Sequence, residues 1–219
     1  MSGFSKRHGS KVKIVEIFSM DRDGEIAAFE AHSAKGNRTL LWHGTNIAVA
    51  AAICSSGMRI MPNSGGRVGQ GIYLVSAATV APAIFQRRSL TRNRCCRQAN
   101  QSVKSGHYVQ PAQDGTGIMF LAEGAMGTVN YITQDDSRLK LSRLRAGTDS
   151  VVALGRIDPD PAGDVAVEMD GNPVTIPAGA IASSTVPGAA KSTFTQSEHL
   201  IYREDQLRLR YLVRMQWSK

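Results

Sequence analysis

Leu40-Leu-Trp-His-Gly-Thr-Asn-Ile-Ala-Val-Ala-Ala-Ala-Ile-Cys-Ser-Ser-Gly57 is the stretch on which the fold turns. Leu40–His43 reads as a short buried strand that stops at Gly44. Thr45 or Asn46 then offers a side-chain oxygen to cap a helix over Ile47–Ser56, and Gly57 ends it. A strand passing this abruptly into a capped helix leaves no room for a dinucleotide-binding crossover unit. Downstream, Pro62–Gly71 is a glycine-rich loop and Gly71–Val75 a strand. Gly69-Gln-Gly71 therefore opens a strand rather than a helix, unlike a Rossmann phosphate loop. Ser76 is placed to cap a second, weaker helix that contains Pro82.

Working outward, Lys11–Phe18 predicts a strand with Val12, Ile14 and Phe18 toward a core, and Asp21–Gly24 predicts a turn. Ile118–Glu123 predicts an apolar strand. Asp135–Ala189 is rich in turns, among them Asp158-Pro-Asp-Pro161, Asp170-Gly-Asn-Pro173 and Pro177-Ala-Gly179. Leu207–Trp217 alternates strictly, with Leu207, Leu209, Tyr211, Val213, Met215 and Trp217 on one parity, and is the clearest strand signal in the chain. Short strands, two modest helices and many turns describe an α+β domain built on antiparallel sheets.

Composition narrows the function classes. The chain has 219 residues, 42% hydrophobic and 20% charged, which suits a globular core and excludes a disordered chain. Its longest strictly apolar run, Ile47–Cys54, is far short of a membrane span, and no apolar segment of the secretory type follows Met1. Three cysteines, Cys54, Cys95 and Cys96, exclude a disulfide scaffold and fit a reducing compartment. Cys95-Cys96 with His107 lacks the usual zinc-ligand spacing, so no metal is expected.

The net charge of +8 is unevenly distributed. No Asp or Glu occurs from Ala31 to Gln113, whereas that stretch holds ten basic residues, including Arg38, Arg59 and Arg67. An acid-free half points to an anionic ligand, phosphate or nucleic acid, with a solvated basic face as the alternative. Within it, the segment at about 87–117 is basic, polar and without apolar periodicity. It reads as a long insertion whose arginines contact nucleic acid or an acidic target, or as a solvated loop.

Three segments each put one polar side chain at the end or edge of an apolar strand: His43 in Leu41–Thr45, Tyr73 in Gly69–Tyr73, and Glu198 in Ser197–Tyr202. Singly, each suits a satisfied core residue or a solvated carboxylate. In this order and with these flanks they resemble the His-Tyr-Glu signature of the poly(ADP-ribose) polymerase catalytic domain. Further matches are Arg38 before Leu40–Thr45, Gly57–Ile60, Leu121–Gly124, Leu154-Gly155 with Asp158–Pro161, and Ile14–Phe18 with Arg22–Glu25. The resemblance runs from about Val12 to Trp217.

That resemblance implies a tail over 1–11 and a single catalytic domain over 12–219. The implied fold is ADP-ribosyltransferase-like: two small antiparallel sheets, a few flanking helices, and an NAD-binding cleft between the sheets. It implies NAD+ as substrate and protein side chains as acceptors, with no metal and no membrane, an intracellular location in nucleus or cytoplasm, and a product polymer as a further partner for the arginines at about 87–117. The Gly44 backbone would bond the nicotinamide carboxamide, His43 the adenosine ribose, and Thr45 would give a further hydroxyl. Tyr73 would stack on the nicotinamide ring, Gly71 would lie in the same loop, and Arg59 would sit near the adenosine and pyrophosphate. Glu198 would hold the ribose 2′-hydroxyl and steady the oxocarbenium-like sugar left when nicotinamide departs.

The match departs at three positions. The family's carboxamide-bonding Ser falls at Ala81, its second stacking Tyr at Ile84 (with Phe85 adjacent), and the Lys of polymerising members at Val80. The expectation is an ADP-ribosyltransferase, with polymer formation open. The alternative is a degenerate module that binds NAD+ or ADP-ribose without turnover. Since only a short segment precedes the first strand, no autoinhibitory helical domain is expected within the sequence.

Overall fold

The computed structural model describes residues 11–45, 47–62, 65–76 and 116–218. In chain order these form β1 (Lys11–Ser19), α1 (Glu25–Glu30), β2 (Arg38–Gly44), α2 (Ile47–Ser56), β3 (Ile72–Leu74), β4 (Thr116–Ala125) and β5 (Val129–Ile132). There follow β6 (Ser150–Ala153), β7 (Gly155–Pro159), β8 (Val165–Met169), β9 (Asn172–Ile176), β10 (Ile181–Ser183), β11 (Phe194–Gln196), β12 (Glu198–Ile201) and β13 (Leu207–Ser218). The α+β class expected from the sequence is observed. The helix expected around Pro82, the positions Val80, Ala81, Ile84 and Phe85, the residues Cys95, Cys96 and His107, and the basic segment up to residue 115 lie outside the described residues. Thr116 and Gly117, read as the end of an insertion, belong to β4.

Among the described residues three sheets form, not two, and they are not wholly antiparallel. The largest runs β1-β13-β4-β2-β9-β8, the second β3-β12-β6-β5 and the third β10-β7-β11. Parallel pairs join β2 to β9, β5 to β6 and β7 to β11. The cause lies in residues 150–196, where turn residues mask strands of three to five residues. The β8–β9 hairpin turns on Asp170 and Gly171, both at positive φ (51° and 73°), the backbone that an Asp-Gly pair adopts most readily.

The main core is the layer between the first two sheets. Leu41, Phe120, Ala122 and Leu209 from one face meet Ile72, Leu74, Val152, Leu154 and Ile201 from the other, with Ala50 and Ile53 of α2 closing an end. A second cluster, with Tyr73, Val151, Ala153, Leu200 and Tyr202, occupies the far side of the four-stranded sheet. Alternate residues of β3, β6 and β12 thus serve different clusters, as a pleated strand requires. Both faces of this small sheet are covered, which is why its strands read as continuous apolar runs.

The alternation of β13 does not keep one face throughout. Its pairing with β4 shifts between Leu209 and Tyr211. Leu207 and Leu209 pack into the inter-sheet core, whereas Tyr211, Val213 and Met215 pack with Met119 and Trp42 on the opposite face. One extra residue at Arg210 inverts the parity, the usual effect of a β-bulge. β1 pairs only with β13 at the sheet edge, so Ile14 and Phe18 are 38% and 50% exposed instead of facing a core.

Two ionic devices hold the frame. Glu123, fully buried, accepts from Arg38 Nε at 2.5 Å and Arg210 Nε at 2.6 Å. Arg210 also reaches Asp170 at 2.6 Å, tying the β8–β9 turn to the large sheet. At the end of α2, Arg22 donates to the carbonyls of Cys54 (3.2 Å) and Ser55 (2.8 Å), which have no partner inside the helix.

Candidate active site

The site is built from strand register. Tyr73 on β3 lies opposite Leu200 on β12, and Glu198 lies two residues back along β12, opposite Ala153. Glu198, Leu200 and Tyr202 therefore share a face with Tyr73. Diagonal neighbours of this kind are about 7–8 Å apart. His43 arrives from the other sheet. It stands at the end of β2, opposite Phe120, and its Nδ1 is 2.9 Å from the carbonyl oxygen of Tyr73. A backbone bridge locks this approach: Trp42 N–H donates to Val75 O at 2.8 Å, and Val75 N–H to Trp42 O at 2.9 Å.

These contacts set the chemistry of each group. A carbonyl only accepts, so Nδ1 of His43 carries the proton and Nε2 is left as an acceptor in the neutral ring. Burial lowers the His43 pKa and favours that neutral form, against the raising effect of the Tyr73 carbonyl. Tyr73 donates its hydroxyl to Gly69 O (2.9 Å) and accepts from Val68 N–H (3.1 Å). Burial pushes its phenol further from ionisation. Tyr73 is thereby a fixed, neutral aromatic plate.

Glu198 is 8% exposed, and its Oε2 has no hydrogen-bond partner among the described residues. Burial raises its pKa to about 7; Arg67 opposes the rise and Asp135 adds to it. A buried carboxylate without a partner is costly in a folded protein, and such groups concentrate where chemistry needs them.

The glycine loop has a steric explanation. Gly69 has φ +74°, and a Cβ there would overlap the Leu139 carbonyl. A Cβ on Gly66 would strike the Tyr73 hydroxyl, and one on Gly71 would come within 3.1 Å of Ile201 O and the Tyr202 ring. Glycine lets the loop close over Tyr73 and against β12.

The remaining expected residues divide in two. Gly44 and Thr45 are buried directly beyond His43. Arg59 lies after α2, with its side chain 60% exposed, paired to Glu204 at 2.8 Å; Glu204 also accepts from Ile60 N–H at 2.7 Å. It is held by the segment after β12, not by the His43–Tyr73 contact. Sequence reading passed over Arg67, Asp135, Thr193 and Tyr202. Arg67 was one basic residue among ten, and Asp135 and Thr193 lie in turn-rich stretches without a motif. Among the described residues, no group of three or more His, Cys, Asp or Glu side chains is placed to hold a metal ion.

A family model described as the poly(ADP-ribose) polymerase catalytic domain matches residues 3–93 and 97–217. The chain belongs to this family. Its relatives include the protein mono-ADP-ribosyltransferase PARP3 of Mus musculus, 45% identical over 200 residues, covering 90% of this chain and 32% of the relative. The Homo sapiens protein of the same name is 44% identical over the same shares. The poly [ADP-ribose] polymerase 2-B of Oryza sativa subsp. japonica is 31% identical over 96% of this chain and 30% of its own length. The chain thus spans about a third of the length of these relatives. Members of the family use NAD+ as their substrate, and their activity is that of an ADP-ribosyltransferase.

Proposed function

We propose that this chain transfers ADP-ribose from NAD+ to protein side chains, one unit at a time. The observation that carries the reading is the meeting of Tyr73 and Glu198 on one sheet face, with the Tyr73 carbonyl bonded to His43. Single-unit transfer is favoured by the relatives at 41–45% identity, which are named mono-ADP-ribosyltransferases, and by Val80 where polymerising members carry Lys.

The residues would act as follows. The Gly44 backbone holds the nicotinamide end, Thr45 gives the ligand a further hydroxyl, and Tyr73 offers its ring face to the pyridinium. His43 Nε2, an acceptor, takes a hydrogen bond from an adenosine ribose hydroxyl. Arg59 exchanges part of its pairing with Glu204 for the pyrophosphate, and Gly71 keeps the loop thin enough for the ligand to lie against it. The glycosidic C–N bond then breaks, and its electron pair leaves with nicotinamide, which becomes neutral. The ribose carbon takes on oxocarbenium character. Ionised Glu198, bonded to the 2′-hydroxyl, stabilises that charge. A hydroxyl acceptor attacks the same carbon, and its proton passes to water.

Incubation with 32P-labelled NAD+ tests the reading. Label on protein with wild type, and none with Glu198→Gln, supports transfer. Nicotinamide release without labelling makes the chain a glycohydrolase. Binding without release makes it a non-catalytic NAD+ or ADP-ribose module, the alternative to which Ala81 and Ile84 point. Label confined to single units on a sizing gel supports mono-transfer, and a ladder overturns it.

A further inference from the structure

Arg67 lies in the loop before β3, and its guanidinium is placed more tightly than a loop cation needs. Its side chain is only 14% exposed. Nε donates to Asp135 Oδ2 at 2.9 Å, and a terminal nitrogen donates to Asp135 Oδ1. The same nitrogen reaches Thr193 Oγ1 at 2.9 Å and Thr193 O at 3.3 Å. The guanidinium plane stacks 4.1 Å from the centre of the Phe194 ring. A forked pairing to a carboxylate combined with stacking on an aromatic face is a geometry that arginine satisfies and lysine does not.

Three chain segments meet at this point, and two of them carry the chemistry. Immediately after Arg67, Val68 N–H and Gly69 O hold the Tyr73 hydroxyl, and Val68 O accepts from Tyr202 at 2.7 Å. Immediately after Phe194, β11 leads into Ser197 and Glu198. Ser197 is itself fixed, accepting from Gly155 N–H at 2.9 Å. The third segment, after β5, supplies Asp135, which Thr193 Oγ1 also bonds at 3.0 Å.

We propose that Arg67 is a positioning residue for the transfer reaction, a cationic clasp that fixes the Tyr73 loop against the strand bearing Glu198. The inference rests on the reading of Glu198 given above. The charged and titratable groups acting on that carboxyl are Arg67 from the loop, Asp135 from beyond β5 and the Tyr73 phenol from β3; β6 presents Ala153 and Val151. Arg67 and Asp135 act in opposite senses, so the clasp sets a balance of charges at Glu198 as well as a distance.

The test separates clasp from charge. The Glu198 carboxyl is titrated by 13C NMR in protein labelled at glutamate, with its signal identified by its loss in Glu198→Gln. Arg67→Met removes the cation and moves the midpoint upward by roughly half a pH unit or more, and Asp135→Asn moves it downward. A purely structural staple loosens in both variants, admits water in both and lowers both midpoints; that result overturns the proposal. Arg67→Lys keeps the charge and loses the fork. Its midpoint stays near that of wild type while kcat for label transfer falls about tenfold with little change in KM for NAD+. Full activity in Arg67→Lys overturns the positioning role. If wild type transfers no label, the functional reading fails and the positioning role in transfer fails with it, while the titration alone still shows whether Arg67 and Asp135 act on Glu198 in opposite senses.

Discussion

Replacing Glu198 by glutamine should make the protein more stable while making it inactive, and the size of the gain follows from burial. In the unfolded chain the carboxyl titrates near 4.5; in the folded chain burial holds it at about 7. The protonated form is favoured by folding, so the sign is fixed. Stability contributed by the neutral acid is fully present below about pH 4.5 and is lost as pH rises through 7. The difference between 4.5 and about 7 corresponds to about 3 kcal/mol. Because only 8% of the residue is exposed, solvent screening removes little of it. Glu198→Gln has the same shape and no charge, so it escapes the loss. Urea unfolding of both proteins between pH 4.5 and 8.5 should give similar stabilities at the acid end. The mutant should be ahead by about 3 kcal/mol at the alkaline end, or about 6–12 °C in Tm for a chain of this length. A pH-independent difference, or a mutant less stable at pH 8.5, would refute the claim that burial of the Glu198 carboxylate outweighs the attraction of Arg67. Transfer of label by the wild type should rise with pH through about 7 as the carboxylate forms, and the mutant should be slower by at least about 100-fold.

Three other outcomes follow from the same frame. Gly69→Ala forces a Cβ into the Leu139 carbonyl at a positive φ and should cost at least about 2 kcal/mol, measured by urea midpoint, together with loss of NAD+ binding in calorimetry. Glu123→Ala leaves Arg38 and Arg210 buried without their shared carboxylate and should cost about 3–5 kcal/mol, whereas an exposed control such as Glu168→Ala should change the midpoint by less than about 0.5 kcal/mol. His43→Ala removes the contact to the Tyr73 carbonyl and the Nε2 acceptor; KM for NAD+ should rise roughly tenfold, with a smaller change in kcat, in a steady-state assay.

Much of the candidate site could be read from residues alone because the three side chains expected there sit in regular strands. A strand announces itself by apolar runs, and His43, Tyr73 and Glu198 each interrupt or end one. The pairing of β3 with β12, which brings two of them onto one face, is a long-range fact that no local pattern encodes. The parallel neighbours of β5, β7 and β9 escaped for a similar reason: strands of four or five residues between proline and glycine turns carry too few positions to display a period. The inversion of parity at Arg210 hid because a bulge leaves the sequence alternation intact while turning it over in space. Arg67 hid in its charge: nothing local says whether an arginine faces water or, as here, an aromatic ring and an aspartate.

On β12, the catalytic candidate and its neighbour His199 point to opposite sides. His199 stands opposite Leu74 and Val152, both members of the apolar layer between the sheets, and burial lowers its pKa. Alternation of this kind makes the ladder hydrogen bonds of a four-residue strand decide which side chain faces the candidate site. Sliding β12 by a single position would drive an acid into the oily seam and put an imidazole where Glu198 stands. Insertions of one residue between Gln196 and Leu200 should therefore be far less tolerated than substitutions there, and a deep mutational scan would see that asymmetry as a hole in the tolerated lengths of one short ribbon.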